Sequence, residues 1–182
     1  RALMSALHTI IAAARQHSRT APARPPLLPA GTRFDERDIR IGGRSLREMG
    51  HTRTTPFVLI APAERSDRER FVSVIVTTVT GREEPRPSCR TVQLTVDSDL
   101  DEVVDQITLA VLLNGATDRS LVSSLVVGPG SSLRKVSALL PAITSPGDRI
   151  VLFCQGTVAR SQVVAPAVDS DSDEDWTGRC GK

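Results

Sequence analysis

Three histidines, three cysteines and one acidic run are the side chains with the chemistry to react or to bind a metal. His8, His17 and His51 have no carboxylate cluster beside them, and a general base needs a positioned partner, so none is expected to act as a base or a ligand. Cys89, Cys154 and Cys180 are far apart and form no CxxC pair, which argues against a zinc site or a disulfide framework and suits a reducing compartment. Asp97, Asp99, Asp101 and Glu102 have the charge of a calcium loop but lack its spaced glycine and terminal glutamate. Capping of a following helix explains them more simply. "VVGPGSS" (126–132) lacks the lysine of a phosphate-binding loop and the glycine spacing of a dinucleotide site, and reads as a tight turn with a serine cap. These readings lead to the expectation of no enzyme, no catalytic residue, no metal and no cofactor.

Nucleic acid is the remaining chemical partner to weigh. Aromatic residues make up only 3% of the chain, with no Tyr, and Phe34, Phe57, Phe71 and Phe153 are too sparse to build a base-stacking platform. Any RNA contact must then be electrostatic. Residues 1–34 hold five Arg and no acid, and residues 35–90 hold eleven Arg against nine acids. Residues 91–167 reverse the balance, with five basic groups against seven acidic ones. The closing "DSDSDEDW" reads as a solvated acidic run.

The elements that must position these groups follow from hydrophobic periodicity. Leu3, Leu7, Ile10, Ile11 and Ala14 have helical spacing in an Arg-rich, acid-free start. That is the composition of an organellar transit segment, so a mitochondrial matrix location is expected ahead of a chloroplast. No apolar run reaches the ~18 residues of a membrane span. Around residues 38–50 a short strand, a Gly42-Gly43 turn and one helical turn are expected, with Ser45 as cap and Gly50 as stop. "PFVLIAP" and "FVSVIVTTVTG" read as strands, and "GREEPRPS" as a linker.

Beyond the linker, "TVQLTV" alternates as a strand. Leu100, Val103, Val104, Ile107 and Val111 then have the three-four spacing of a buried helical stripe that Asn114-Gly115 would end. "SLVSSLVV" is a strand, and Leu133, Val136, Leu139 and Leu140 suggest a second helix stopped by Pro141. "RIVLFCQGTVARSQVVAP" reads as a closing hairpin. The expected fold class is α/β (α+β): a β-α-β-α-β-β two-layer sandwich behind a small mixed α/β unit and an N-terminal helix. The expected division is 1–33 extension, 34–80 small domain, 81–90 linker, 91–167 C-terminal domain and 168–182 acidic tail.

This order, with "IRIGGRSLREMG" and "VLIAP" in the first unit and "GTVARSQVVAP" at the end of the second, resembles the bacterial-type translation initiation factor three in its mitochondrial form. The likeness spans residues 34–166. It implies a factor that binds the small ribosomal subunit, through rRNA and ribosomal proteins, prevents premature subunit joining and assists start-codon selection. It also implies RNA contacts at Arg134, Lys135 and Arg160, joined by Arg119 and Arg90 as further basic candidates. Val96 and an acidic first helix stand where the family is basic, so the salt-dependent phosphate term is expected to be weak. The alternative is a structural ribosomal or assembly protein that kept the fold without factor activity.

Overall fold

The computed structural model describes residues 27–35, 37–64, 70–84, 91–113, 120–130 and 134–164. The segment expected as an N-terminal helix, the acidic tail, Arg90 and Arg119 lie outside these residues. Within them the class is mixed α+β, mostly strands with one α-helix, in two sheets.

Residues 33–45 form a three-stranded antiparallel sheet, β1 (Arg33–Phe34), β2 (Ile39–Ile41) and β3 (Arg44–Ser45). Gly42 and Gly43, with φ of 55° and 81°, supply the turn between β2 and β3. Helix α1 (Leu46–Thr52) follows, and the expected cap is present: Ser45 Oγ accepts from the Glu48 N–H at 3.0 Å. Gly50 lies inside this helix rather than ending it, because the Arg149 guanidinium lies across it where a Cβ would stand. Seven residues are too few for a helix to persist alone, so α1 is held by burial of Leu46.

The larger sheet is built around β5 (Phe71–Glu83), whose 13 residues serve two neighbourhoods. Its first half lies between β4 (Phe57–Pro62) and β10 (Arg149–Gln155), and its second half pairs with β6 (Val92–Val96) after an irregularity between Val79 and Gly81. β6 pairs in parallel with β8 (Leu121–Val127), β8 antiparallel with β9 (Val136–Pro141), and β10 antiparallel with β7 (Ile107–Leu112). The order β7-β10-β5-β6-β8-β9 curls until its two end strands lie against each other without a ladder between them. The sheet thus encloses one core in the manner of a small barrel.

Strand alternation sorts the apolar residues into two cores. Ile75, Leu94, Val126, Leu140, Ile150 and Leu152 point inward. On the outer face of β4, β5, β7 and β10, Phe57, Val74, Val76, Leu109, Val151 and Phe153 pack beneath Ile39, Ile41 and Leu46 of the first unit. That unit is a cover over half of the barrel wall.

Several expectations are corrected. The stripe from Leu100 to Val111 is no helix: it passes through a 3₁₀ turn (Val104–Gln106) into β7. The segment read as a second helix contains β9. Among the described residues the expected hairpin has no last strand, because after β10 the chain makes a 3₁₀ turn at Arg160–Gln162 and meets Ser98 by one bridge at Val164. The β-α-β-α-β-β sandwich is therefore not the observed topology. β5 also crosses the boundary placed at residue 80, so the two units share a sheet.

Candidate functional site

The densest polar arrangement gathers at one end of the barrel. β6, β8 and β10 run in the same direction, so the connections leaving them meet there, together with the residues entering β9. At the foot of this end, two hydroxyl relays converge on Asp97. Ser98 Oγ donates to Thr77 Oγ1 at 2.6 Å, and Thr77 donates to Asp97 Oδ1 at 2.6 Å. Thr55 Oγ1 donates its one hydrogen to Asp97 Oδ2 at 2.5 Å, so in its 2.7 Å contact with Thr78 Oγ1 it must accept. The Thr78 N–H completes the set, 2.9 Å from Asp97 Oδ1. Asp97 was expected as a helix cap; it instead joins the segment after α1 to β5 and β6.

Above it, the 98–106 connection is held by its own main chain and by its neighbours. Asp99 Oδ1 accepts from the Asp101 N–H at 3.0 Å, and the Asp99 N–H donates to the Val163 carbonyl at 2.9 Å. Gly128 explains "VVGPGSS" in packing terms. A Cβ there would stand 2.7 Å from the Ser98 carbonyl oxygen and 3.1 Å from the Leu100 nitrogen, so only glycine allows the two backbones to approach.

The basic candidates divide. Arg134 Nη1 donates to the Asp101 carbonyl and to Asp105 Oδ2, each at 3.1 Å. Lys135, the next residue, instead reaches Gln93 Oε1 on β6 at 3.0 Å. Arg160 opens the 3₁₀ turn, is exposed, and has no ion pair among the described residues. Two residues on, Gln162 Nε2 lies 3.4 Å from Glu102 Oε2. The fold therefore brings Arg134 and the Arg160 turn to the same acidic connection. Arg134 would have to leave Asp105 to take a phosphate, a small cost for an exposed pair worth about 0.2–1 kcal/mol. Four acids, Asp99, Asp101, Glu102 and Asp105, border these three cations, which weakens any phosphate field at this end.

Among the described residues, no group of three or more His, Cys, Asp or Glu is placed to hold a metal ion. Cys154 is buried on β10, and burial pushes its thiol from 9.0 up to about 12, so it is protonated and shielded at neutral pH. His51 is exposed in the last turn of α1.

Arg82 was overlooked in the sequence. It donates from Nη1 to the carbonyls of Ala142 and Thr144, at 2.7 and 2.5 Å, and from Nε to Glu84 at 2.8 Å, tying β5 to the turn between β9 and β10. Its placement in the presumed "GREEPRPS" linker concealed it. A second overlooked feature is on the outer wall. Gln93 and Thr95 of β6, Ser123 and Leu125 of β8, and Ser137 and Leu139 of β9 point away from the core. None of these three adjacent strands contains a charged residue.

No family model and no curated protein sequence matches the chain. Solved structures of the Paramecium bursaria Chlorella virus arginine decarboxylase, one of them bound to agmatine, are similar over 51% of this chain at 16% identity and a TM-score of 0.39. The matches span only 29% and 28% of those chains. Because both are structures of an enzyme, the expectation that this chain is no enzyme is withdrawn. A likeness of this extent assigns no reaction and no substrate.

Proposed function

We propose that the described region is a docking module that attaches to a folded protein surface through the outer face of β6, β8 and β9. The observation that carries this reading is the absence of charge on three neighbouring strands. Exposed strands at the end of a sheet are ordinarily guarded by Lys or Glu, and β9 is such a strand. The centres of protein interfaces are depleted of charge in the same way. The opposite wall is sealed by the first unit, which leaves this one outward.

The partner we put forward is the protein component of the small ribosomal subunit. Short Ser, Thr, Gln and Leu side chains suit a protein surface, whereas phosphates require several basic groups, and the cation seen on this face is Lys135, which precedes β9 and is held on Gln93. The ribosomal assignment rests on the "IRIGGRSLREMG", "VLIAP" and "GTVARSQVVAP" motifs, since the two helices expected in the second unit are replaced by a 3₁₀ turn and strands. A salt-insensitive contact of this kind favours a resident structural protein over a transient initiation factor.

Co-sedimentation of the full chain with purified mitochondrial small subunits across a salt series tests it. Binding is expected to be nearly independent of salt and to be lost in Ser123→Lys/Ser137→Lys. Loss in Arg134→Ala/Lys135→Ala/Arg160→Ala with a steep salt slope would replace protein docking by RNA binding. No sedimentation at any salt concentration would remove the ribosomal reading.

A further inference from the structure

Ile60 and Phe71, 53% and 45% exposed, are among the few large apolar side chains left in water. They belong to one patch. Ile60 pairs with Ser73 and Phe71 with Pro62, and antiparallel partners share a face, so both side chains are on the same side of the β4–β5 ladder. Half-buried Val58, which pairs with Ile75, extends that face toward the core. Among the described residues, β4 pairs with no named strand but β5, and only its Pro62 end is met on the other side, by residues 28–30.

The described chain begins beside it. The Ala30 N–H donates to the Pro62 carbonyl and the Glu64 N–H to the Leu28 carbonyl, both at 2.8 Å. Residues 28–30 thus run antiparallel to 62–64, so the described chain starts within a few residues of Pro62, the partner of Phe71. Upstream, residues 3–14 carry Leu3, Leu7, Ile10, Ile11 and Ala14 at one-sided helical spacing, a stripe that must meet some apolar surface. The span from Ala14 to Leu27 can extend about 45 Å at 3.3–3.6 Å per residue, far more than the two-residue distance from Pro62 to Ile60.

We infer that residues 3–14 dock, as an amphipathic helix, on the Ile60–Phe71 patch of their own chain. The tether selects this occupant. A short linker holds the segment at an effective concentration on the order of mM, which a second copy at micromolar concentration does not match. The contact would turn an exposed apolar corner into a third small core, continuous with Val58.

Hydrogen exchange with peptide-level mass spectrometry on the full chain tests this, at two protein concentrations tenfold apart. Peptides covering 3–14 are expected to exchange at least tenfold more slowly in the wild type than in Ile60→Ser/Phe71→Ser, equally at both concentrations. Both replaced side chains are exposed, and the reciprocal variant Leu7→Asp/Ile11→Asp leaves the barrel sequence intact. It is expected to speed exchange in the 58–62 and 71–73 amides. Equal exchange of residues 3–14 in wild type and variant would overturn the inference. So would protection that grows with concentration together with a dimer in light scattering, which would make a second copy the occupant.

Discussion

Replacing Asp97 by Ala should be among the most damaging single changes in the described fold, and Asp97→Asn should be mild. The carboxylate accepts from Thr55, Thr77 and the Thr78 N–H, and Thr77 is fully buried. Alanine leaves the Thr77 hydroxyl and the Thr78 amide without an acceptor, at about 1–3 kcal/mol for each buried group. The Thr55 hydroxyl is nearer solvent and can turn away. Because Asp97 is half-buried and water can reach its place, the expected loss is about 2–4 kcal/mol. Asparagine keeps one oxygen for Thr77 and Thr78, and the Thr55 hydrogen can turn to Thr78 Oγ1 at 2.7 Å, so the loss falls to about 1 kcal/mol.

Urea unfolding is the assay, with the midpoint expected to move and the slope to stay constant, since the surface exposed on unfolding is unchanged. A double-mutant cycle with Thr77→Val sharpens it. Removing donor and acceptor together should cost less than the sum of the single changes, by about 1–2 kcal/mol. If Asp97→Ala costs under about 0.5 kcal/mol, or if Asn is as harmful as Ala, the convergent relays do not hold the barrel end together.

Three further predictions concern packing and pH. Gly128→Ala drives a Cβ into the Ser98–Leu100 backbone and is expected to cost about 1–3 kcal/mol in the same urea assay. Gly50→Ala meets only the flexible Arg149 guanidinium and gains helix propensity, so its midpoint should stay within about 0.5 kcal/mol of the wild type. For Cys154 the folded thiol is raised from 9.0 to about 12, so above pH 9 the unfolded chain binds fewer protons and stability falls as pH rises, until the folded thiol also ionises. At pH 10 this amounts to about 1.4 kcal/mol relative to pH 8, and Cys154→Val should remove that part of the pH dependence in urea midpoints measured at both values.

Where the sequence misled, the reason lies in the geometry of particular residues. The strands β5, β6, β8 and β10 were legible because each combined β-branched residues with alternation or a short apolar run, and the Ser45 cap was legible because capping is local. Val136 and Leu140, four residues apart, share a face in a helix and in a strand alike, so the pair does not separate the two. Ser137, exposed between Val136 and Ala138, was the discriminating residue. In "ITLAVLL" both faces are buried: Ala110 and Leu112 face the barrel core, while Leu109 and Leu113 face the cover. A strand buried on both sides loses its alternation and reads as a continuous apolar run, which a helical stripe also fits.

The candidate site was legible only where the chain is local. Asp99 and Asp101 do form the expected kind of turn, with the Asp101 N–H on the Asp99 carboxylate. The partners that give the barrel end its character come from far along the chain: Thr55 and Thr77 reach Asp97, Gly128 reaches Ser98, and Arg134 reaches Asp105. Those distances in sequence arise from the β6–β8 parallel pair, which sends the chain across the barrel through β7 before it returns. The mistaken helices therefore carried a second consequence. They placed Arg134 on a solvent-facing helix, free to meet phosphate, whereas the crossover sets it against Asp105. The same crossover places three uncharged strands side by side, which is why the reading moves from the basic residues to the wall of β6, β8 and β9.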